Sequence, residues 1–368
     1  MSQLLCRIAK LSLSSSIWKK KEHGLCLRSL STAATPYLLF NPTDKKEITK
    51  SGAQLNLYDP SKGETVIIPN QTLTNELLTS MIKGSSRGWV LAQNKVDLAL
   101  RLTNMYNNPC ASRKVISLPP TKEKLWRISL SASPDQDQED CVVAALSTDS
   151  SLIMCRPGDS EWTPIKTPFF ASGMIYSARD AKFYLGTRVG HEYVGYHGPI
   201  DLIDTSSGFP QVSLFQEFPF SEFPESRVEN LLTASKTDEH IVQSPSGESF
   251  IIYWFNYAYL NKEFKAKPPY QSSIRSKPRG FVVFKQDPEQ RINSYTEDIG
   301  DLCIFLGYNE AFCVSATEYP GLNPNSIYFT SRETGYGFYD LSSNTLHEVV
   351  DPPPFSYCHH WLPPSPVK

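Results

Sequence analysis

The chain of 368 residues carries 36 Lys and Arg against 38 Asp and Glu, a formal net charge of −2. That balance lacks the strongly basic surface through which a generic binder of the nucleic-acid phosphate backbone works, so the chain is a poor candidate for one. A hydrophobic content of 40% provides for a large core, and 28 Pro with 19 Gly suit many short strands joined by tight turns.

The first 34 residues stand apart: Arg7, Lys10, Lys19, Lys20, Lys21 and Arg28 face one acid, Glu22, and seven residues are Ser. Leu4, Ile8 and Leu11 fall at helical spacing, while Arg7, Lys10 and Ser14 lie toward another face. A basic, Ser-rich, acid-poor amphipathic start predicts an organellar transit peptide; Arg7 and Lys10 break the apolar core that a secretory signal requires. The stretch Arg28-Ser29-Leu30-Ser31-Thr32 resembles a mitochondrial processing site and places the cut after Leu30. Mitochondrion is the expected address, with chloroplast or dual targeting as the alternative. Loss of residues 1–34 leaves 30 basic against 37 acidic residues, a net charge of −7 on residues 35–368, which are read as one domain.

Within that domain, Leu73, Leu77 and Leu78 line one face of a short predicted helix over 73–81. No long amphipathic helical pattern follows. What recurs is a strand end running into Asp, Asn or Pro and then a turn. These ends are anchored at Tyr58, Tyr106, Cys155, Ile203, Phe284 and Tyr339, with spacings of 48, 49, 48, 81 and 55 residues. A period near fifty, roughly, matches kelch-sized propeller repeats, and a β-sandwich has no reason to keep one. The long interval reads as a blade with a Lys- and Pro-bearing loop inserted over 261–279. Its apolar run 251–260 is too short to span a bilayer and is predicted to be buried strand.

Residues 295–341 hold four short β-like runs, the content of one propeller blade. The runs 303–307 and 311–315 are joined by Tyr308, Asn309 and Glu310, a short polar link suited to a hairpin. The runs 326–330 and 337–341 are joined through Arg332, Glu333, Thr334 and Gly335, again a turn composition. Together with the repeats they predict an all-β, kelch-like β-propeller of about six blades.

A search for chemistry returns no Gly-x-Ser-x-Gly elbow, no phosphate loop ending in Lys-Ser or Lys-Thr, and no Gly-x-Gly-x-x-Gly. The string His191-Glu192-Tyr193-Val194-Gly195 lacks the second His of a helical zinc site; His197 and Asp201 follow in a Gly-bearing hairpin context. Cys358, His359 and His360 are consecutive, and successive strand residues point to opposite faces, so they do not converge on one ion. The expectation is no catalytic, cofactor-binding or metal-binding residue and no cofactor. Cys141, Cys155, Cys303 and Cys313 lie in apolar runs and read as small reduced hydrophobes. Trp89, Trp126, Trp162, Trp254 and Trp361 read as packing between blades rather than as a ligand face. Lys45, Lys46 and Lys50, and the basic residues between Lys262 and Arg279, read as solvated charge. The sequon Asn70-Gln71-Thr72 has meaning only on the secretory route.

Five segments resemble one family in the same order: SRGWVLA from Ser86, MYNNPCASRKVISLPP from Met105, CRPGDSEWTPI from Cys155, MIYSARDAKFYLGT from Met174, and the block 295–341. The last contains IGDLCIFLGYNEAFCVSA, PGLNPNSIYFT and GFYDL. They are similar to the plant-specific domain of unknown function that accompanies F-boxes in KIB-type proteins, over roughly residues 37–350. The resemblance implies a propeller-like region that binds partners, and it supplies no catalytic residues. A branch of that family lacks the F-box and carries organelle-targeting presequences; this chain resembles it, since 1–36 leaves no room for a helical F-box. The function expected is a non-catalytic organellar scaffold for protein partners, with no nucleic acid. The alternatives are an enzyme or small-ligand binder using the propeller channel, and a cytosolic substrate receptor.

Overall fold

Short apolar runs bounded by turn residues pair into sheets, because each strand hides its faces between neighbouring layers and gives its backbone groups to the strand beside it. The computed structural model describes residues 35–40, 48–49, 52–73, 77, 79–106, 114–136, 140–148, 151–165, 167, 171–189, 208–214, 218–221, 224, 236–259, 275–331, 335–348 and 359–364.

The first strands are Tyr37–Leu39 (β1), Ile48–Thr49 (β2), Gly52–Asp59 (β3) and Glu64–Leu73 (β4). Blade I follows, with Ser80–Ser86 (β5), Trp89–Asn94 (β6), Leu100–Asn104 (β7) and Val115–Leu118 (β8). Blade II is Leu125–Leu130 (β9), Val143–Ser147 (β10), Leu152–Cys155 (β11) and Thr163–Ile165 (β12). Blade III is Ala171–Ser177 (β13), Lys182–Val189 (β14) and Gln211–Leu214 (β15), the last parallel to β14. Blade IV is Lys236–Gln243 (β16), Ser249–Tyr259 (β17), Arg275–Asp287 (β18) and Ile292–Thr296 (β19). Blade V is Leu302–Leu306 (β20), Phe312–Ser315 (β21), Ser326–Ser331 (β22), Gly335–Asp340 (β23) and Thr345–Glu348 (β24). The last strand, His360–Leu362 (β25), pairs with β1, which pairs with β3, so both ends of the chain build the sixth, closing blade.

The structure is thus a six-bladed β-propeller. Strands β5, β9, β13 and β16 stand side by side around the centre, with β21 next to β16 and β25 next to β5. Each junction between blades is an apolar cluster. Trp89 and Leu91 meet Ile128 and Val143 between blades I and II. Leu146 and Met154 meet Phe183 and Leu185 between II and III, and Ile175 and Tyr184 meet Ile241 and Phe284 between III and IV. Trp254 and Phe281 meet Phe329 and Tyr339 between IV and V. Phe305 and Tyr328 meet Tyr58 and Trp361 at the closing blade, whose Leu39 and Leu57 reach Val90 and Ala92 of blade I. Full burial of one such side chain stabilises by about 1.5–3 kcal/mol, so the ring is held by its six seams.

Blades III and IV are further welded by their backbones. A Cβ on Gly173 or Gly186 would stand 2.7 Å or 2.6 Å from the Glu239 carbonyl oxygen, so only glycine permits this approach. Beside them Ser172 Oγ donates to Glu239 O at 2.9 Å and accepts from Glu239 N at 3.0 Å. Strand β14 pairs with β16 through Arg188 and Val189, which merges the two blades into a seven-stranded sheet.

Several sequence expectations take definite form. The repeat anchors fall near the end of the strand next to the outermost one in each blade: Tyr58 on β3, Tyr106 just past β7, Cys155 on β11, Phe284 on β18 and Tyr339 on β23; Ile203 lies outside the described residues. The apolar run 251–259 is strand β17. The five tryptophans all pack in or against seam clusters. The four cysteines are free and buried, although Cys141 precedes β10 rather than lying in it.

Two expectations need correction. The helix over 73–81 is cut short at both ends, since Leu73 belongs to β4 and Ser80 opens β5; Leu77 is helical and buried against the closing blade. The inserted loop ends earlier than Arg279, because β18 begins at Arg275 and pairs with the far end of β17. Blade V also departs from a plain meander. Its hairpins β20–β21 and β22–β23 form as expected, but β20 joins β22 in parallel, and β21 takes the inner position. The presequence, Lys45, Lys46, Lys50, the string 191–201 and Cys358 lie outside the described residues.

Candidate functional site: the propeller channel

The unusual order of blade V directs the β20–β21 turn, residues 307–311, toward the inner strands of other blades. Gly307 is required at its start: a Cβ there would meet Thr330 Cγ2 at 2.6 Å and Asn309 Oδ1 at 2.7 Å. Asn309 closes the turn on itself, its Nδ2 donating to the carbonyls of Glu310 at 2.8 Å and Phe305 at 3.3 Å. The Glu310 N–H donates to Ser85 O of β5 at 2.7 Å.

The tip is clasped from three consecutive blades. Ser86 Oγ of blade I donates to Glu310 Oε2, and Ser129 Oγ of blade II donates to Oε1 at 2.7 Å. The Tyr176 N–H of blade III donates to the same Oε1 at 3.0 Å. Ser86 Oγ in turn accepts the Leu130 N–H at 3.1 Å, which leaves its proton for the carboxylate. Arg127 of β9 donates from Nη1 to Gly307 O at 2.5 Å and to Asn309 O at 3.4 Å, with its guanidinium 4.7 Å from the Trp126 ring centroid. Arg127, Asn309, Ser86 and Ser129 are all buried.

Strand β25 completes this centre. Trp361 O accepts Ser85 Oγ at 3.3 Å, and the His360 ring lies 6.1 Å from that of Tyr308. His359 and His360 do face different surroundings, as expected of successive residues: His359 packs edge-on to Phe40 at 5.1 Å. Burial pushes the His359 imidazole down to about 4, and burial with His359 and Arg127 nearby pushes His360 down to about 3. Both are therefore neutral in the fold, while in the unfolded chain they titrate near 6.5, roughly.

The folded state binds fewer protons than the unfolded one as pH falls below that value, so stability drops on acidification toward the depressed pKa values. At pH 5 each histidine is expected to cost about 2 kcal/mol relative to pH 8. Urea unfolding at the two pH values checks this, and His359→Phe should remove part of the dependence; an unchanged midpoint would contradict the assignment.

Other polar groups have structural roles. An open depression between blades IV and V is lined by Tyr295, Glu297, Asp298, Asn325 and Ser342. Asn325 ties it together, Nδ2 donating to Glu297 O at 3.0 Å and Ser342 Oγ at 2.8 Å, and Oδ1 accepting the Ile299 N–H at 2.8 Å. Burial raises the thiols of Cys303 and Cys313 to about 12, which suits apolar packing and not nucleophilic chemistry. Among the described residues, no three His, Cys, Asp or Glu side chains are grouped to hold a metal ion.

Sequence reasoning missed Glu310, which read as part of a polar hairpin link, and Arg127. The available signal was an arginine inside the apolar run 125–130, since a buried arginine demands acceptors. Nothing local names Glu310 as their neighbour.

The family comparison agrees with this architecture. A family model described as the KIB1-4 beta-propeller matches residues 57–340. The F-box protein At2g17690 of Arabidopsis thaliana is 38% identical over 72 residues, 20% of this chain and 15% of that protein. Among solved structures, the Cps50 (Swd1) β-propeller domain of Myceliophteria thermophila aligns over 85% of this chain and 86% of its own, at 8% identity and a TM-score of 0.30. A putative 6-phosphogluconolactonase from Bacteroides uniformis aligns over 89% of this chain and 99% of its own, at 11% identity and a TM-score of 0.37. Likenesses of this size carry no argument. With the propeller in place and the family model spanning four of its blades whole and parts of the other two, the chain belongs to the KIB1-4 beta-propeller family.

Proposed function

We propose that this chain is a non-catalytic scaffold that holds protein partners on the loops of its propeller, and that it works in the mitochondrion after removal of its first 30 or so residues. One observation carries the reading. At the centre, where residues from several blades converge in a propeller that acts on small molecules, the inner strands β5, β9 and β13 spend their polar groups on the chain's own β20–β21 turn. Loops cross-tied as at Asn325 offer a rigid surface for recognition at little ordering cost. The basic, acid-poor N-terminal segment supports the address. Among the described residues no helix is long and apolar enough to cross a membrane.

A second reading, a small ligand bound beside the channel, is favoured by the His360 ring nitrogens and Asn309 Oδ1, which are buried without a hydrogen-bond partner among the described residues. Proximity labelling in plant cells, with the full chain fused at its C-terminus, tests both when joined to N-terminal sequencing. A start near Ser31 with reproducible organellar neighbours is the expected result. A matrix location without stable neighbours would shift weight to the ligand. An unprocessed chain among cytosolic neighbours would overturn the address and revive a substrate-receptor role.

A further inference from the structure

We propose that Ser86, Ser129 and the Tyr176 backbone N–H form a binding site for a carboxylate, and that Glu310 is its tethered occupant. This inference concerns the channel alone and stands whether or not the interaction reading holds.

Four observations converge. The three donors come from different blades, on β5, β9 and β13, yet address one carboxylate from two sides. Their chemistry is selective. Ser86 Oγ accepts the Leu130 N–H and turns its proton toward the site. Tyr176 contributes an N–H that can only donate. A carboxylate accepts all three donors at once, whereas a carboxamide places N–H groups at one of the two positions and forgoes the donor hydrogen bonds made there. Third, the cradle does not depend on the side chain it holds. The turn's backbone is fixed separately by Arg127 at the Gly307 and Asn309 carbonyls, by Ser85 O at the Glu310 N–H, and by the Asn309 side chain. Truncating Glu310 at Cβ therefore leaves the donors arranged around a gap the size of the lost CH2–COO group. Fourth, Glu310 is only partly buried while Ser86 and Ser129 behind it are fully buried, so the site is reachable from solvent but dry at its base.

Acetate has the dimensions and the acceptors of the missing group. The test is thermal unfolding of the full chain carrying Glu310→Ala, titrated with sodium acetate against sodium chloride at equal ionic strength, with pivalate as a carboxylate too bulky for the gap. The expected result is a lowered midpoint that acetate raises saturably, by roughly 2–4 °C at ten times its dissociation constant. Chloride and pivalate should not reproduce the rise, and neither the wild-type chain nor the Ser86→Ala, Glu310→Ala double variant should show it. If Glu310→Ala does not fold unaided, its refolding yield from urea should rise with acetate and not with chloride, while Glu310→Gln folds and ignores acetate. An acetate effect no larger than that of chloride, or equal in wild type, would overturn the proposal.

Discussion

Deleting residues 359–368 is expected to leave a chain with no cooperative unfolding transition. Strand β25 supplies the inner strand of the closing blade, with register Tyr37↔Leu362, Leu38↔Trp361 and Leu39↔His360. Its loss frees the ladder of β1, and it uncovers two seams at once, because Trp361 packs on Phe305 and Tyr328 while Leu362 joins the cluster with Leu39 and Val90. Trp361 and Leu362 are each 1% exposed. A buried Trp→Ala change alone costs about 3–5 kcal/mol, and whole domains are stable by only about 5–15 kcal/mol. A ring protein has no partial remedy, since an unclosed propeller exposes a bare sheet edge at the gap. Near-UV circular dichroism and size-exclusion chromatography of the truncated chain would read the outcome. Trp361→Ala is the milder companion, expected to keep a transition lowered by about 3–5 kcal/mol in urea. A truncated chain that unfolds like the full one would show that the seam is not what closes the ring.

Replacing Arg127 by Met should cost about 3–5 kcal/mol although the substitution keeps most of the side-chain volume. The guanidinium holds the carbonyls of Gly307 and Asn309 in a buried setting, and both acceptors would lose their charged donor together. The β20–β21 turn would then rest on Glu310 and Asn309 alone. Arg127→Lys should recover less than half of the loss, because an ammonium lacks the planar fork that serves two carbonyls. Urea denaturation of the three proteins at pH 7.5 measures the differences, and a loss below about 1 kcal/mol for Arg127→Met would mean that the turn is held by other contacts. The same variants probe the turn's backbone, since Arg127 donates to the Gly307 and Asn309 carbonyls.

The legibility of the fold followed the range of the interactions involved. Turn residues and apolar alternation are local properties, so residue order alone makes the hairpins β20–β21 and β22–β23, strand β17 and the near-regular spacing of the repeat anchors readable. The helical spacing of Leu73, Leu77 and Leu78 does not extend the helix over 73–81, because long-range pairing takes Leu73 into β4 and Ser80 and Met81 into β5. The loop before Arg279 is shorter than its composition suggests for a similar reason: a Lys- and Pro-bearing run has the residues of a connection, but β17 supplies a partner for Arg275 onward.

The amino-acid sequence by itself determined the secondary-structure class, the repeat and the apolar stock of the seams, since these depend on residue type and spacing along the chain. Only the tertiary structure decided that β20 lies parallel to β22, that the link Tyr308-Asn309-Glu310 enters the channel, and that β25 closes the ring. The physical reason is chain distance. Arg127 meets an acceptor 180 residues away and Ser85 one 276 residues away, and no pattern within a strand's length encodes which buried donor will find which acceptor once six seams have closed.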